Sequence, residues 1–275
     1  MTESERAVEG GIGIFDSGLG GLTVVHEVMQ QLSAEDVIYY GDTARVPYGN
    51  KSPETVTRYA REIADFLLGQ GVKALVVACN TATAYALTDL RERYGGRVPV
   101  MGVVEPGVRA ALRVTRNGRV GVIGTRGTIA SGVYEQALKR LRPDVEVVAL
   151  ATPLLVPLVE EDWLDHEASR LIVREYIEPL RRAGVDTVIL GCTHYPLLKG
   201  VLSEELGDGV RLVDSAENVA RDLAERLWAD GHLRRGVKRE GRLKIYVSDV
   251  PGMFGDLARR FLGEPVAEVE KVVLG

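Results

Sequence analysis

Short apolar runs alternate with longer stretches of helical periodicity along the whole chain. Gly11-Ile12-Gly13-Ile14-Phe15 reads as a strand that stops at Asp16-Ser17-Gly18. Over residues 20–32, Leu22, Val25, Val28, Met29 and Leu32 share one helix face. Val37-Ile38-Tyr39-Tyr40 is the next strand, ending at Gly41-Asp42-Thr43. Ser52-Pro53 gives an N-cap followed by proline at the first helical position, and the helix it starts runs to about Gly69. The run 71–78 is a buried strand leading into Cys79, followed by a helix through Arg93. Residues 98–103 form a fourth strand, ending at Glu105-Pro106-Gly107.

The pattern then begins again. Residues 119–123 resemble 11–15, with Gly124-Thr125 in place of Asp16-Ser17. Residues 145–150 answer 37–40, and 210–213, ending at Asp214-Ser215, answer 98–103. The closest correspondence is Gly71-Val72-Lys73-Ala74-Leu75-Val76-Val77-Ala78-Cys79-Asn80-Thr81 with Gly184-Val185-Asp186-Thr187-Val188-Ile189-Leu190-Gly191-Cys192-Thr193-His194, which align without a gap. Each copy ends in one of the two cysteines of the chain. A strand at 243–247 and a helix at 254–262 are additional. Strand–helix alternation with this repeat predicts two similar α/β halves with mostly parallel sheets.

Composition narrows the classes. With 275 residues, 45% hydrophobic, the chain suits one large domain or two ordinary ones. A net charge of −5 argues against nucleic-acid binding. The basic segment 233–239 lacks interleaved aromatics and reads as a solvated loop. The most apolar stretch, 147–159, contains Pro153 and Pro157 and is too short to span a membrane. The first residues are polar, without the apolar core of a signal peptide, and two cysteines make no disulfide framework. The expected compartment is the reducing cytoplasm.

Strand carboxyl ends are where open α/β sheets bind ligands, and each Cys sits at one. Two thiols so placed suit removal of a proton from one face of a carbon and delivery to the other. Inert packing, a metal site joining Cys192 and His194 to Cys79, and a redox pair are the alternatives. The metal reading lacks paired CxxC ligands, and no CxxC motif marks a redox pair. His194 is placed to act as a proton partner or to hold a thiolate by charge. Asp16 and Ser17 either cap the following helix or orient a substrate ammonium. Gly18-Leu19-Gly20-Gly21 lacks dinucleotide spacing and reads as a turn for a small carboxylate. No lysine stands out for a pyridoxal Schiff base.

At these residues the chain resembles the glutamate racemases of the cofactor-independent aspartate/glutamate racemase superfamily. The matching segments are 14–21, 40–43 with Pro47-Tyr48-Gly49, 78–82, 102–107, 124–129, 157–160, 191–198 and 214–216. They span nearly the whole chain in family order. Residues 1–10 lie outside them, a stretch shorter than the extension of some enterobacterial members, so regulation by a cell-wall precursor is not expected.

The resemblance implies Cys79 and Cys192 as acid/base thiols, with Asp16, Glu160 and His194 as auxiliary groups. It implies Asp16, Ser17, Tyr48, Gly49, Asn80, Thr81, Thr193 and His194 as substrate contacts. It further implies L-/D-glutamate as substrate, D-glutamate supply for peptidoglycan, neither metal nor other cofactor, and a homodimer. The expected architecture is two pseudo-two-fold-related parallel-sheet α/β domains, 10–104 plus 214–270 and 105–213, with the active site in the cleft between them. Aspartate or hydantoin racemisation, decarboxylation and a non-catalytic amino-acid-binding module are the rival functions.

Overall fold

The computed structural model describes residues 10–233, 240–250, 252, 254–266 and 268–275. The basic segment therefore lies outside the described residues except for Leu233, as do the first nine residues. The chain divides into two compact units: one takes residues up to Val103 together with Ala216–Gly275, the other Val104–Ser215.

The first unit opens with β1 (Ile12–Asp16), α1 (Leu22–Gln31) and β2 (Val37–Gly41). Short 3-10 turns at Thr43–Arg45 and Tyr48–Asn50 lead into α2 (Pro53–Gly69), β3 (Ala74–Val77), α3 (Asn80–Tyr94) and β4 (Val100–Gly102). The Ser52 hydroxyl accepts the Thr55 N–H at 3.3 Å, as the sequence predicts, a cap that contributes about 1 kcal/mol. On α2, Val56, Ala60, Ile63, Ala64 and Leu67 recur at helical spacing and are fully buried. They join Phe15, Leu75, Val77, Ala82, Ala86 and Leu90 in one core.

The second unit contains α4 (Val104–Val114), β5 (Arg119–Gly124), α5 (Arg126–Ala130), α6 (Val133–Leu141), β6 (Glu146–Ala151) and α7 (Leu155–Glu160). It continues with α8 (Glu167–Ala183), β7 (Thr187–Gly191), a 3-10 turn at Tyr195–Leu198, α9 (Lys199–Leu206) and β8 (Arg211–Asp214). Its core gathers Val104, Val108 and Ala111 of α4, Val120 and Val122 of β5, Tyr134 and Leu138 of α6, and Ile189 of β7. The chain then returns to the first unit through α10 (Ser215–Ala229), β9 (Leu243–Val247), α11 (Phe254–Leu262) and β10 (Glu270–Lys271). Among the described residues no helix is long and apolar enough to cross a membrane.

Both sheets are parallel throughout. The first runs β10-β9-β2-β1-β3-β4 and the second β6-β5-β7-β8. Removing the additional β9 and β10 leaves the same order twice, which is the repeat read from the sequence. In each sheet the connections leave the first strand of the repeat to one side and then the other. The topological switch point therefore falls beside β1 and β3 in one unit, and beside β5 and β7 in the other.

One expected boundary is corrected. The stretch 98–103 yields only the short strand Val100–Gly102, and Glu105-Pro106-Gly107 lies within α4, not in a loop after the strand. Pro106 falls in the first turn, where a missing N–H leaves no intrahelical bond unmade.

Candidate active site

The first half-site is built on β1 and β3. Phe15 pairs with Val77, and the Ala78 N–H donates to the Phe15 carbonyl at 2.9 Å, so the chain segments after both strands start side by side. Cys79 is a free thiol, 6% exposed, with Sγ 3.7 Å from the Ser17 hydroxyl. It caps α3, accepting the Ala82 N–H at 3.4 Å. A donor and a helix N-terminus together favour negative charge on this sulfur. Asn80 and Thr81 lie buried in the first turn of α3.

Asp16, the last residue of β1, is fully buried, and its carboxylate accepts the Gly21 N–H at 2.7 Å. It thus serves the turn before α1, whose N-cap is Gly21 itself, without a side-chain cap. A Cβ at Gly21 would stand 2.5 Å from Asp16 Cβ and 3.0 Å from the Tyr39 hydroxyl, so only glycine fits. The Tyr39 hydroxyl donates to the Gly18 carbonyl at 2.7 Å. Burial, then the charges of Asp16 and Cys79, raise its pKa well above the usual phenol range and keep it a donor. Tyr48 and Gly49 are buried on the Tyr48–Asn50 turn.

The second half-site repeats this plan with different chemistry. Gly124 pairs with Gly191, so Thr125 follows β5 beside Cys192, which follows β7. A Cβ on Gly191 would meet the Ile123 carbonyl at 2.7 Å. Cys192 is free and buried, with Sγ 3.8 Å from His194 Nδ1. His194 Nε2 lies 3.0 Å from Glu160 Oε1 at the end of α7, and the Thr193 hydroxyl is 3.5 Å from Nδ1. Burial alone would lower the imidazole pKa. Hydrogen bonds to Cys192 and Glu160, reinforced by their negative charge, override that and hold it at about 10. The site thus favours an imidazolium between the Cys192 sulfur and the Glu160 carboxylate at neutral pH.

The likeness of the two Cys segments implies a helix after Cys192 like the one after Cys79, and the structure differs there. In the gap-free alignment Pro196 stands opposite Thr83. The Thr83 N–H donates to the Cys79 carbonyl at 2.8 Å and closes the first turn of α3. Pro196 has no N–H to do the same. The Tyr195 N–H instead takes the Cys192 carbonyl at 3.1 Å, giving the tighter 3-10 turn. One thiol therefore sits at a helix N-terminus and the other beside an imidazole.

Asp16, Ser17, Tyr48, Gly49, Asn80 and Thr81 all belong to the first unit with Cys79, Ser17 beside the thiol and Tyr48 in the same buried cluster. Glu160, Thr193 and His194 belong to the second with Cys192. Residues not singled out from the sequence also belong to these surroundings. The Tyr195 hydroxyl donates to the Thr152 carbonyl at 2.9 Å and accepts from the Thr152 hydroxyl at 2.8 Å, all buried near Cys192. Tyr195 lies within the matching segment 191–198, so its position beside Cys192 could have marked it. Among the described residues no three His, Cys, Asp or Glu side chains gather as a metal site.

Each of the two like parallel sheets thus presents a buried thiol just beyond a switch-point strand, Cys79 at a helix N-terminus and Cys192 beside His194. Residues 12–223 match the model of the Asp/Glu/hydantoin racemase family. The chain is 57% identical over 263 residues, 96% of each chain, to the glutamate racemase of Geobacter metallireducens. Its fold matches the glutamate racemase isoform RacE1 of Bacillus anthracis with a TM-score of 0.91 at 41% identity, over 96% of this chain and 98% of that one. It also matches the Francisella tularensis glutamate racemase, solved in complex with D-glutamate, with a TM-score of 0.89 at 34% identity, over 96% and 97% of the two chains. The chain belongs to the glutamate racemases within the Asp/Glu/hydantoin racemase family and is an amino-acid isomerase.

Proposed function

We propose that this chain interconverts L- and D-glutamate by two-base proton transfer between Cys79 and Cys192. One thiolate takes the Cα proton, breaking the C–H bond and leaving its electron pair on the substrate. The other thiol returns a proton to the opposite face, so only configuration changes. Cys79 deprotonates D-glutamate and Cys192 deprotonates L-glutamate. Asp16, His194 and Glu160 assist the thiols. Ser17, Tyr48, Gly49, Asn80, Thr81, Thr193 and His194 hold the amino acid, and their N–H groups and hydroxyls stabilise the planar carbanion at its carboxylate. The reaction needs neither metal nor pyridoxal phosphate. The enzyme works as a homodimer in the cytoplasm, apart from membrane and nucleic acid, and supplies D-glutamate for peptidoglycan.

The observation that carries this reading is the pair of buried free thiols at equivalent strand ends of two like sheets. The D-glutamate bound by the Francisella relative supports the substrate. The test is optical rotation of L- and D-glutamate with purified protein, chelator present and no cofactor added. Wild-type protein racemises both, and Cys79→Ala and Cys192→Ala each lose at least about a thousandfold. Wild-type-like turnover in either variant would overturn the two-base mechanism.

A further inference from the structure

Asp42 is a carboxylate with no exposed surface, one residue beyond β2. Its two oxygens accept the Arg45 Nε–H at 2.7 and 2.9 Å. The same carboxylate accepts a hydrogen bond from the Tyr48 hydroxyl. Arg45 is held in turn by Glu62 of α2 and lies over the Tyr59 ring at 4.0 Å. Tyr59 packs against Tyr48, ring centroids 5.7 Å apart. The backbone of Asp42 is pinned too, its N–H donating to the Asp16 carbonyl at 3.1 Å.

A buried carboxylate is costly unless paired and fully hydrogen-bonded. Here the pairing spans the two 3-10 turns and ends on one side chain, Tyr48. That ring shares a buried cluster with Cys79. Burial, then the adjacent Asp42 charge, keeps the phenol protonated far above neutral pH, so it remains a donor to Asp42. Charge-assisted hydrogen bonds of this kind are short, directional and about twice as strong as neutral ones.

We propose that Asp42, neutralised by Arg45, is a positioning residue that fixes the Tyr48 ring, and with it the Tyr48–Gly49 backbone, beside the Cys79 thiol. The proposal rests on the reading of Tyr48 and Gly49 as substrate contacts. Asp42 acts through the phenol and touches no reacting atom.

Asp42→Asn keeps the volume and an acceptor but removes the charge. Tyr48→Phe removes only the hydroxyl and leaves the Asp42–Arg45 pair intact. Each raises KM for glutamate about tenfold while kcat changes by less than about threefold. The double variant raises KM by clearly less than the product of the two single effects, because both changes weaken the Asp42–Tyr48 link. In the substrate-free protein, alkylation of Cys79 by iodoacetamide, read by peptide mass spectrometry against Cys192 in the same sample, speeds up several-fold in both variants.

A Tyr48→Phe protein with wild-type KM and unchanged Cys79 alkylation overturns the proposal. So does a double variant in which the two effects multiply. If Asp42→Asn does not fold, Tyr48→Phe alone decides. Absence of glutamate turnover in the wild type would overturn the substrate reading, and the alkylation measurement would still decide the Asp42–Tyr48 link.

Discussion

His194 Nε2 stands 3.0 Å from Glu160 Oε1 while its other nitrogen faces a thiol. The folded imidazole has its pKa raised from 6.5 to about 10. A raised pKa adds stability that is complete below 6.5 and is lost as pH rises through about 10. The stability difference between wild type and His194→Gln, from urea unfolding at successive pH values, should therefore shrink across that window. A difference that grows with pH would mean that the imidazole is buried neutral. Glu160→Gln should shift the imidazole titration, followed by histidine NMR, to lower pH.

Gly21 touches Asp16 closely enough that a single methyl has no room. Gly21→Ala should displace the Asp16 carboxylate and strain the N–H bond it accepts. Overpacking of this kind costs about 1–3 kcal/mol. Turnover should fall more than tenfold, with a lower unfolding midpoint in urea. Wild-type turnover would show that Asp16 has no exact place to keep in the reaction.

Asp162 is the one non-glycine residue with positive φ, at 60°, among the described residues. It follows the end of α7, where its N–H bonds the Val159 carbonyl and the Trp163 N–H bonds the Leu158 carbonyl, a Schellman cap. That cap sets the direction of Glu160, two residues earlier. Asp162→Gly should leave stability equal or higher. Asp162→Val should cost about 1–2 kcal/mol and reduce turnover, since a branched side chain resists the left-handed backbone. Equal stabilities in urea would contradict this.

The proposed two-base mechanism predicts a stereochemical signature. Starting from one enantiomer in D₂O, the first product should carry deuterium at Cα while recovered substrate stays largely protiated. Mass spectrometry at low conversion reads both. Substantial protium in the first product would point to one base working on both faces.

Much of this was legible in the chain. The strand Leu243–Val247 and the helix Phe254–Leu262 fall on the residues expected, because an apolar run and a clear helical face leave little choice. The repeat around the cysteines also held, since the aligned strands occupy equivalent places in both sheets. Less legible was what followed Cys192, where one proline in place of Thr83 redirects the backbone although the surrounding pattern is shared. The Asp42–Arg45–Tyr48 cluster was not visible either. Its partners are close in sequence, but two 3-10 turns set where the side chains point, and neither turn has a periodic signal. The link from Glu160 to His194 joins residues far apart in sequence; the family resemblance marked both as auxiliary groups but did not pair them.

The pairing of Val37 with Leu243 has a consequence for the order of assembly during synthesis. Residues 104–215 are contiguous, so that unit holds its whole sheet as soon as they have emerged from the ribosome. The earlier-made β2 must meanwhile wait for β9, leaving its outer edge open to other strands. The first unit thus completes its sheet only after the second, although it is the first to be started.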